Sequence, residues 1–350
     1  MTRKPHPLPD TIRDLDHLED LLSEPTEGVV AALSRCEGDL IVLGVGGKMG
    51  PSLARMARRA LDASASRSRV LGVSRFTNAE LPDWLRTHGI EPIACDLLDP
   101  DQARSLPEAA YVVAMSGQKF GTSSGQAALT WATNCLMPAL IGGRYRHSKI
   151  VAFSTGNVYP LVPSSSRGSV ETDPLGPVGE YAMSAVGRER IYEYMSLTHK
   201  TPMALIRLNY ASEPRYGVLV DLARKVWTGE KIDLSMGYLN TIWQGDANAI
   251  ALRAFDLVGT PPFVLNVTGP EVLSVRELAE AFGRHWGKAV QFQGREAPDA
   301  LLNNAAQAIE RFGAPRVPTD RLVSWIADWI AEGGPLLDKP THFEVRDGRF

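Results

Sequence analysis

The chain has 350 residues, 44% of them hydrophobic and 22% charged, with 37 basic against 40 acidic side chains and a formal net charge of -3. Such a composition suits a globular protein of one or two domains with a sizeable core and excludes whole-chain disorder. The slightly negative balance offers no broad positive field for a phosphate backbone, so nucleic acid is not an expected partner. Cys36, Cys95 and Cys135 are too few and too scattered for a disulfide framework or a zinc site. No apolar run approaches the ~20 residues of a membrane span, and the start MTRKPHPLPD has no apolar signal-peptide core. The expectation is a cytoplasmic protein with no membrane partner.

A polar stretch with amphipathic spacing at Leu15, Leu18, Leu21 and Leu22 predicts an N-terminal helical extension over residues 1–38. Strand-like runs follow at Leu40–Leu43, Val70–Val73, Pro92–Cys95, Tyr111–Met115, Lys149–Phe153 and Met203–Leu208. Helical stretches separate them at Lys48–Leu61, Asn78–Thr87, Gly125–Ile141 and Glu180–Leu197. Parallel strands need long crossovers and helices on both faces, so residues 39–210 are expected to form a doubly wound α/β domain, a Rossmann fold. Beyond Tyr210 helices are expected at Val218–Thr228, Asp246–Leu257, Val275–Trp286, Ala300–Arg311 and Asp320–Ala331, with strands near Ile242 and at Phe263–Val267. These make a smaller mixed C-terminal substrate lobe over residues 211–335 that rejoins the sheet. Ser164–Ser169 reads as a mobile loop. Residues 336–350 form a tail that runs along the surface, onto a neighbouring subunit of a homodimer, or frays.

The strongest local signal is DLIVLGVGGKMGPSLARMARRA, a strand entering a glycine turn and leaving as a helix. Gly44 would make the tight turn, Gly47 would let the backbone approach a pyrophosphate, and Gly50 would let the helix pack on the strand. Phosphates would sit on the free N–H groups of the helix start, so Gly46, Lys48 and Met49 are also expected at the cofactor. The second strand ends in Ser74-Arg75, where a ribose-binding carboxylate is usual. A guanidinium attracts a 2′-phosphate, which favours NADP over NAD. Asp96, closing IACDLLD, either faces the adenine or makes a turn.

The strand KIVAFSTGNVYP, the segment ETDPLGPVGEYAMSAVGRER and the glycine spacing together resemble the extended short-chain dehydrogenase/reductase family of NAD-dependent epimerase/dehydratase type. The likeness runs from Asp39 to Trp329 and includes Asn134 in WATNCLMPAL. It implies a hydroxyl residue after the fifth strand and a tyrosine in a Tyr-x-x-x-Lys helix, positions at which Thr155 and Tyr181 stand. The lysine position is Ala185. In the family that lysine lowers the pKa of the phenol and holds the nicotinamide ribose. An unperturbed tyrosine near pKa 10 is only about a thousandth ionised at pH 7, and a nearby cation lowers a pKa by about 1–3 units. Lys119, in MSGQKFGTSSG after the fourth strand, is the favoured substitute cation and is assigned with Thr155 and Tyr181 as catalytic; Lys48 is another. Arg188 shares the Tyr181 face but stands about 10 Å of helix rise away and is less favoured. Two further accounts stay open: Tyr181 as a neutral donor beside Thr155, or binding without turnover.

Family geometry also brings Gly117 to the second ribose of the cofactor, and gives Asn134 either a water-network or a packing role. Asn157, Tyr159, Arg207 and Asn209, with Tyr210, lie beyond strand ends where substrates bind. Asp246 reads as an N-cap. The seven histidines form no ligand pair, so no metal is expected, and AFSTG lacks the first glycine of a nucleophile elbow. The expected function is an NAD(P)-dependent oxidoreductase or epimerase/dehydratase-like enzyme acting on a hydroxyl or keto group of a sugar or nucleotide sugar. The alternative is a catalytically degenerate dinucleotide-binding regulatory or sensor protein.

Overall fold

A computed structural model describes residues 7–119 and 125–349; the first six residues of the expected extension, the end of MSGQKFGTSSG and Phe350 lie outside them. Seven strands make one parallel sheet: β1 (Leu40–Leu43), β2 (Val70–Ser74), β3 (Glu91–Ala94), β4 (Tyr111–Ala114), β5 (Lys149–Thr155), β6 (Met203–Leu208) and β7 (Phe263–Val267). Their order is β7-β6-β5-β4-β1-β2-β3. Central β1 reads Leu-Ile-Val-Leu and is buried throughout, because a parallel strand covered on both faces has no polar side to alternate with. Pro92 sits in β3 at the sheet edge, the one kind of strand where a missing ladder donor is tolerated.

Helices cover both faces. The Gly50–Ala63 helix presents Leu53, Ala54, Ala57, Ala60 and Leu61 at helical spacing and buries them against the sheet. Each large side chain so buried contributes about 1.5–3 kcal/mol. The opposite face carries a second core around Leu43, Val112, Ile141, Tyr145 and Tyr192. A third core, built on Trp243, Trp325 and Phe282, holds the C-terminal part together. β7 returns from that part to pair with β6, as its pattern predicts.

Two expectations differ from the structure. The helix expected over Ala300–Arg311 spans only Ala306–Phe312, and Asp299–Ala300 instead pairs antiparallel with Val162–Pro163. The Asn304 side chain accepts the Ala306 N–H at 2.8 Å, the local competition by which asparagine opens a helix late. The serine-rich segment 164–169 is not a loose loop: Ser164 N–H donates to Pro298 O, and Ser169 is buried and bonded to both Leu302 and Asn304 backbone. Its composition is polar, yet its backbone is paired, and pairing decides order.

Candidate active site

The chain runs β1, β2, β3 outward and then crosses to β4 on the other side of β1. Such a switch point opens a crevice at the carboxyl ends of the strands, and a cavity of about 510 Å³ lies there. Its floor is the glycine turn. Gly44 has φ +90°, and a Cβ on it would stand 2.9 Å from the Ser116 backbone nitrogen, so only glycine serves. At Gly50 a Cβ would collide with the Val45 carbonyl group. The helix starting at Gly50 has no side-chain cap, which leaves its N-terminal dipole to the cavity. Gly46, Gly47, Lys48 and Met49 all line the same space. The cradle fits the pyrophosphate of a dinucleotide, which could approach where side chains are sterically forbidden.

On the opposite wall β5 ends at Thr155, whose Oγ1 accepts both the backbone N–H (3.2 Å) and the Nδ2 (3.1 Å) of Asn157. Tyr181 lies in the first turn of the Gly179–His199 helix. Thr155, Asn157 and Tyr181 line the cavity together with Gly117 and Asn209. Asn134 sits in a π-helical segment, Ala132–Leu136, and is fully buried. Its side chain brackets the Gln118 backbone, accepting from N and donating to O at 3.1 Å, and donates to Ser184 Oγ at 2.8 Å. Packing and loop anchoring, rather than one alone, describe its role.

Ala185, where the resemblance led to the expectation of a lysine, is fully buried in an apolar cluster with Val158 and Tyr159. Arg188, the less favoured cation, reaches the cavity after all. Helical side chains lean toward the N-terminus, and a long arginine recovers much of the 10 Å of rise. Its guanidinium donates to Phe153 O at 3.0 Å and to Asn134 Oδ1, while its Nε has no partner among the described residues. It lies against Gly117, where a Cβ would meet it at 2.5 Å.

Two lysines foreseen from the sequence converge with one that was not. Lys48 Nζ stands 3.2 Å above the Tyr216 ring. Burial, followed by the charges of Lys119 and Lys339, pushes its pKa down to about 7. Lys119 Nζ donates to Thr341 O at 3.1 Å and lies 6.0 Å from the centre of the Tyr181 ring; burial brings it down to about 8. Lys339 and Thr341 belong to the C-terminal tail. Asp221 accepts the Thr341 N–H (2.7 Å) and hydroxyl (2.6 Å), and Glu344 pairs with Lys225 at 3.2 Å, so the tail runs along its own chain and over the cavity. Tyr216, Lys339 and Thr341 carry no sequence signal: each lies far along the chain from the glycine turn.

The remaining sequence assignments divide. Ser74 Oγ lies where a Cβ on Gly46 would meet it at 2.5 Å, beside the turn, and Arg75 follows it exposed at the end of β2. Asp96 Oδ1 accepts the Leu98 N–H at 3.0 Å, a turn contact outside the cavity lining. Tyr159 and Arg207 are not among the residues that line the cavity. Arg207 pairs with Glu189 at 2.7 Å, both side chains 6% exposed, and donates to Tyr159 OH at 2.6 Å. Tyr159 in turn donates to Asn266 Oδ1 at 2.9 Å. Alternation along β6 turns Arg207 into this network. Asp246 is no N-cap: its Oδ2 accepts the distant Val317 N–H at 2.9 Å, and burial raises its pKa to about 6. Among the described residues no cluster of His, Cys, Asp or Glu could hold a metal, and no helix is long and apolar enough to cross a membrane.

Comparison with curated protein sequences finds no match, but several solved structures share the fold. The UDP-glucuronic acid 4-epimerase of Bacillus cereus, in complex with UDP-glucuronic acid and NAD, superposes with TM-score 0.70 at 16% identity, covering 84% of this chain and 99% of that one. The UDP-glucose 4-epimerase of Thermotoga maritima, with UDP-glucose, gives TM-score 0.69 at 16% identity over 84% and 99%. A Bordetella bronchiseptica enzyme in complex with NAD+ gives 0.67 at 18% over 85% and 99%. Residues 40–234 match the model of the NAD dependent epimerase/dehydratase family, a span that runs from β1 through the glycine turn, Thr155 and Tyr181. The chain belongs to the NAD-dependent epimerase/dehydratase family.

Proposed function

We propose that the protein is an NAD(P)-dependent epimerase or oxidoreductase acting on a hydroxyl or keto group of a nucleotide sugar. The observation that carries this reading is one cavity with the glycine turn on its floor and Thr155 and Tyr181 on its wall. The family membership and the UDP-sugar complexes of the structural relatives support the substrate class. A dinucleotide held at the turn would supply a hydride acceptor and donor. Gly44, Gly46, Gly47 and Gly50 would admit its pyrophosphate, with Lys48 and Met49 beside them and Gly117 at the second ribose. Thr155 and Tyr181 would hold the substrate oxygen, Tyr181 passing the proton. Lys119, within 6.0 Å of the Tyr181 ring, would supply the positive charge that Ala185 does not. Asn157 and Asn209 would contact the substrate. Exposed Arg75 beside Ser74 favours NADP.

The test is incubation with NAD or NADP and UDP-glucose or UDP-glucuronic acid, with products followed by NMR and the reduced nicotinamide by absorbance. Turnover is expected, and Tyr181→Phe should lower kcat by about 10²–10⁴-fold while dinucleotide affinity stays unchanged. Tight dinucleotide binding with no product from either sugar would favour the second reading, a non-catalytic dinucleotide-binding regulator, which the core packing of Ala185 supports.

A further inference from the structure

Four of the residues lining the cavity are cationic, Lys48, Lys119, Arg188 and Lys339, and no Asp or Glu is among the described residues that line it. They come from four separate parts of the chain: the glycine turn, the loop after β4, the Gly179–His199 helix and the tail. The chain as a whole is net negative at -3, so this concentration of one sign is local. A second basic groove, at the opposite ends of β2 and β3, differs: its Arg58, Arg69 and Arg86 pair with Asp62, Asp39 and Asp83. The cavity's own nearby carboxylates stand behind the lining, Asp221 bonded to Thr341 and Glu344 to Lys225.

Like charges brought into one partly desolvated space repel, and a walled cavity focuses their field on whatever enters. Lys119 is the largest charge acting on Lys48 and lowers its readiness to carry charge. Lys339 makes no ion pair or hydrogen bond among the described residues and reaches the cavity from a segment pinned by Thr341. We infer that Lys119 and Lys339, with Lys48 at the border with the glycine turn, form a subsite for an oxyanion of the substrate, a phosphate or a carboxylate, beside the backbone cradle that the turn offers the cofactor. The ring of Tyr216 under Lys48 is its floor and the tail its roof. The tail is thereby part of the binding site, and the subsite exists only when the C-terminal segment is docked. This inference rests on the nucleotide-sugar reading for its ligand, but not for its anion chemistry.

Lys339 is exposed, so Lys339→Met leaves the core intact, and Lys339→Arg keeps the charge. With NAD+ present at saturation, UDP-glucose and UDP-glucuronic acid are titrated calorimetrically into wild type and both variants. Lys339→Met should weaken binding about three- to tenfold, an effect that shrinks as salt is raised, and Lys339→Arg should restore most of it. Equal loss for both sugars identifies the diphosphate as the anion; loss for UDP-glucuronic acid alone identifies the carboxylate. Unchanged affinity for both overturns the subsite. So does an equal weakening of NAD+ itself, which would assign the lysines to the cofactor phosphates. If the wild type binds neither NAD+ nor NADP+, the dinucleotide reading fails, and titration of inorganic pyrophosphate into wild type and Lys339→Met still decides the subsite, equal affinities refuting it.

Discussion

Replacing Arg207 with methionine separates a structural arginine from a substrate-binding one. The guanidinium donates to both Glu189 carboxylate oxygens, Nε to Oε1 at 3.0 Å and Nη2 to Oε2 at 2.7 Å, and Nη1 donates to Tyr159 OH at 2.6 Å and Glu171 O at 3.2 Å. Methionine keeps much of the volume, so a cavity is a small part of the cost. The larger part is Glu189, left buried with Ser154 Oγ at 2.5 Å as its one remaining side-chain donor among the described residues. Removing one partner of a buried pair costs about 3–5 kcal/mol. At roughly 2 °C per kcal/mol for a large domain, the melting midpoint should fall about 6–10 °C. Thermal and urea unfolding followed by circular dichroism read the loss. Calorimetric titration of NAD+ into the folded variant should give an affinity within about twofold of wild type, because Arg207 lies outside the cavity lining. The additional change Glu189→Gln should return part of the stability, since it removes the stranded charge. An unchanged midpoint accompanied by lost nucleotide-sugar affinity would refute the reasoning and return Arg207 to the substrate.

Two further outcomes are accessible with the same protein. Arg75→Asp should shift the NADP to NAD affinity ratio toward NAD by at least about tenfold, because a carboxylate repels a 2′-phosphate and accepts from a ribose diol; an unaltered ratio would remove Arg75 from the cofactor. For pH, the folded values near 7 for Lys48 and 8 for Lys119 lie below the ordinary 10.5. Their contribution to stability is therefore present above the unfolded value and lost as pH falls through about 8 and 7. Asp221 opposes both shifts and Glu344 that of Lys119. An oxyanion favours the protonated lysines, so pyrophosphate should raise the melting midpoint more at about pH 6.5 than at about pH 9; an equal increment would contradict the placement of these lysines at an anion.

Local chemistry made much of the fold legible in the sequence. A strand, Gly44, Gly47, Gly50 and a helix can adjoin in that spacing for few reasons, and the sterics at Gly44 and Gly50 are those of a backbone cradle. β1 and β6 begin and end where their apolar runs do, since strands buried on both faces announce themselves by composition. The expected helix from Ala300 was wrong for a local reason too, the Asn304 side chain that takes the Ala306 N–H and delays its start.

What the sequence could not decide is which side chains share a space. Tyr159 and Arg207 look like pocket residues because they follow strands, but the pleat and the packed Gly179–His199 helix turn them into a buried ion-pair network with Glu189 and Asn266. Arg188 looks too distant by helix rise, but its length and lean carry it back to Gly117. Lys339 and Thr341 have no pattern at all; they reach Lys48 and Lys119 because Asp221 and neighbouring groups hold the tail across the cavity. The sequence by itself determined the doubly wound architecture and the glycine turn that floors the cavity, both of which depend on neighbours along the chain. The tertiary structure alone decided the charge of the cavity, because charges from four distant segments add only where the fold brings them to the lining of one space.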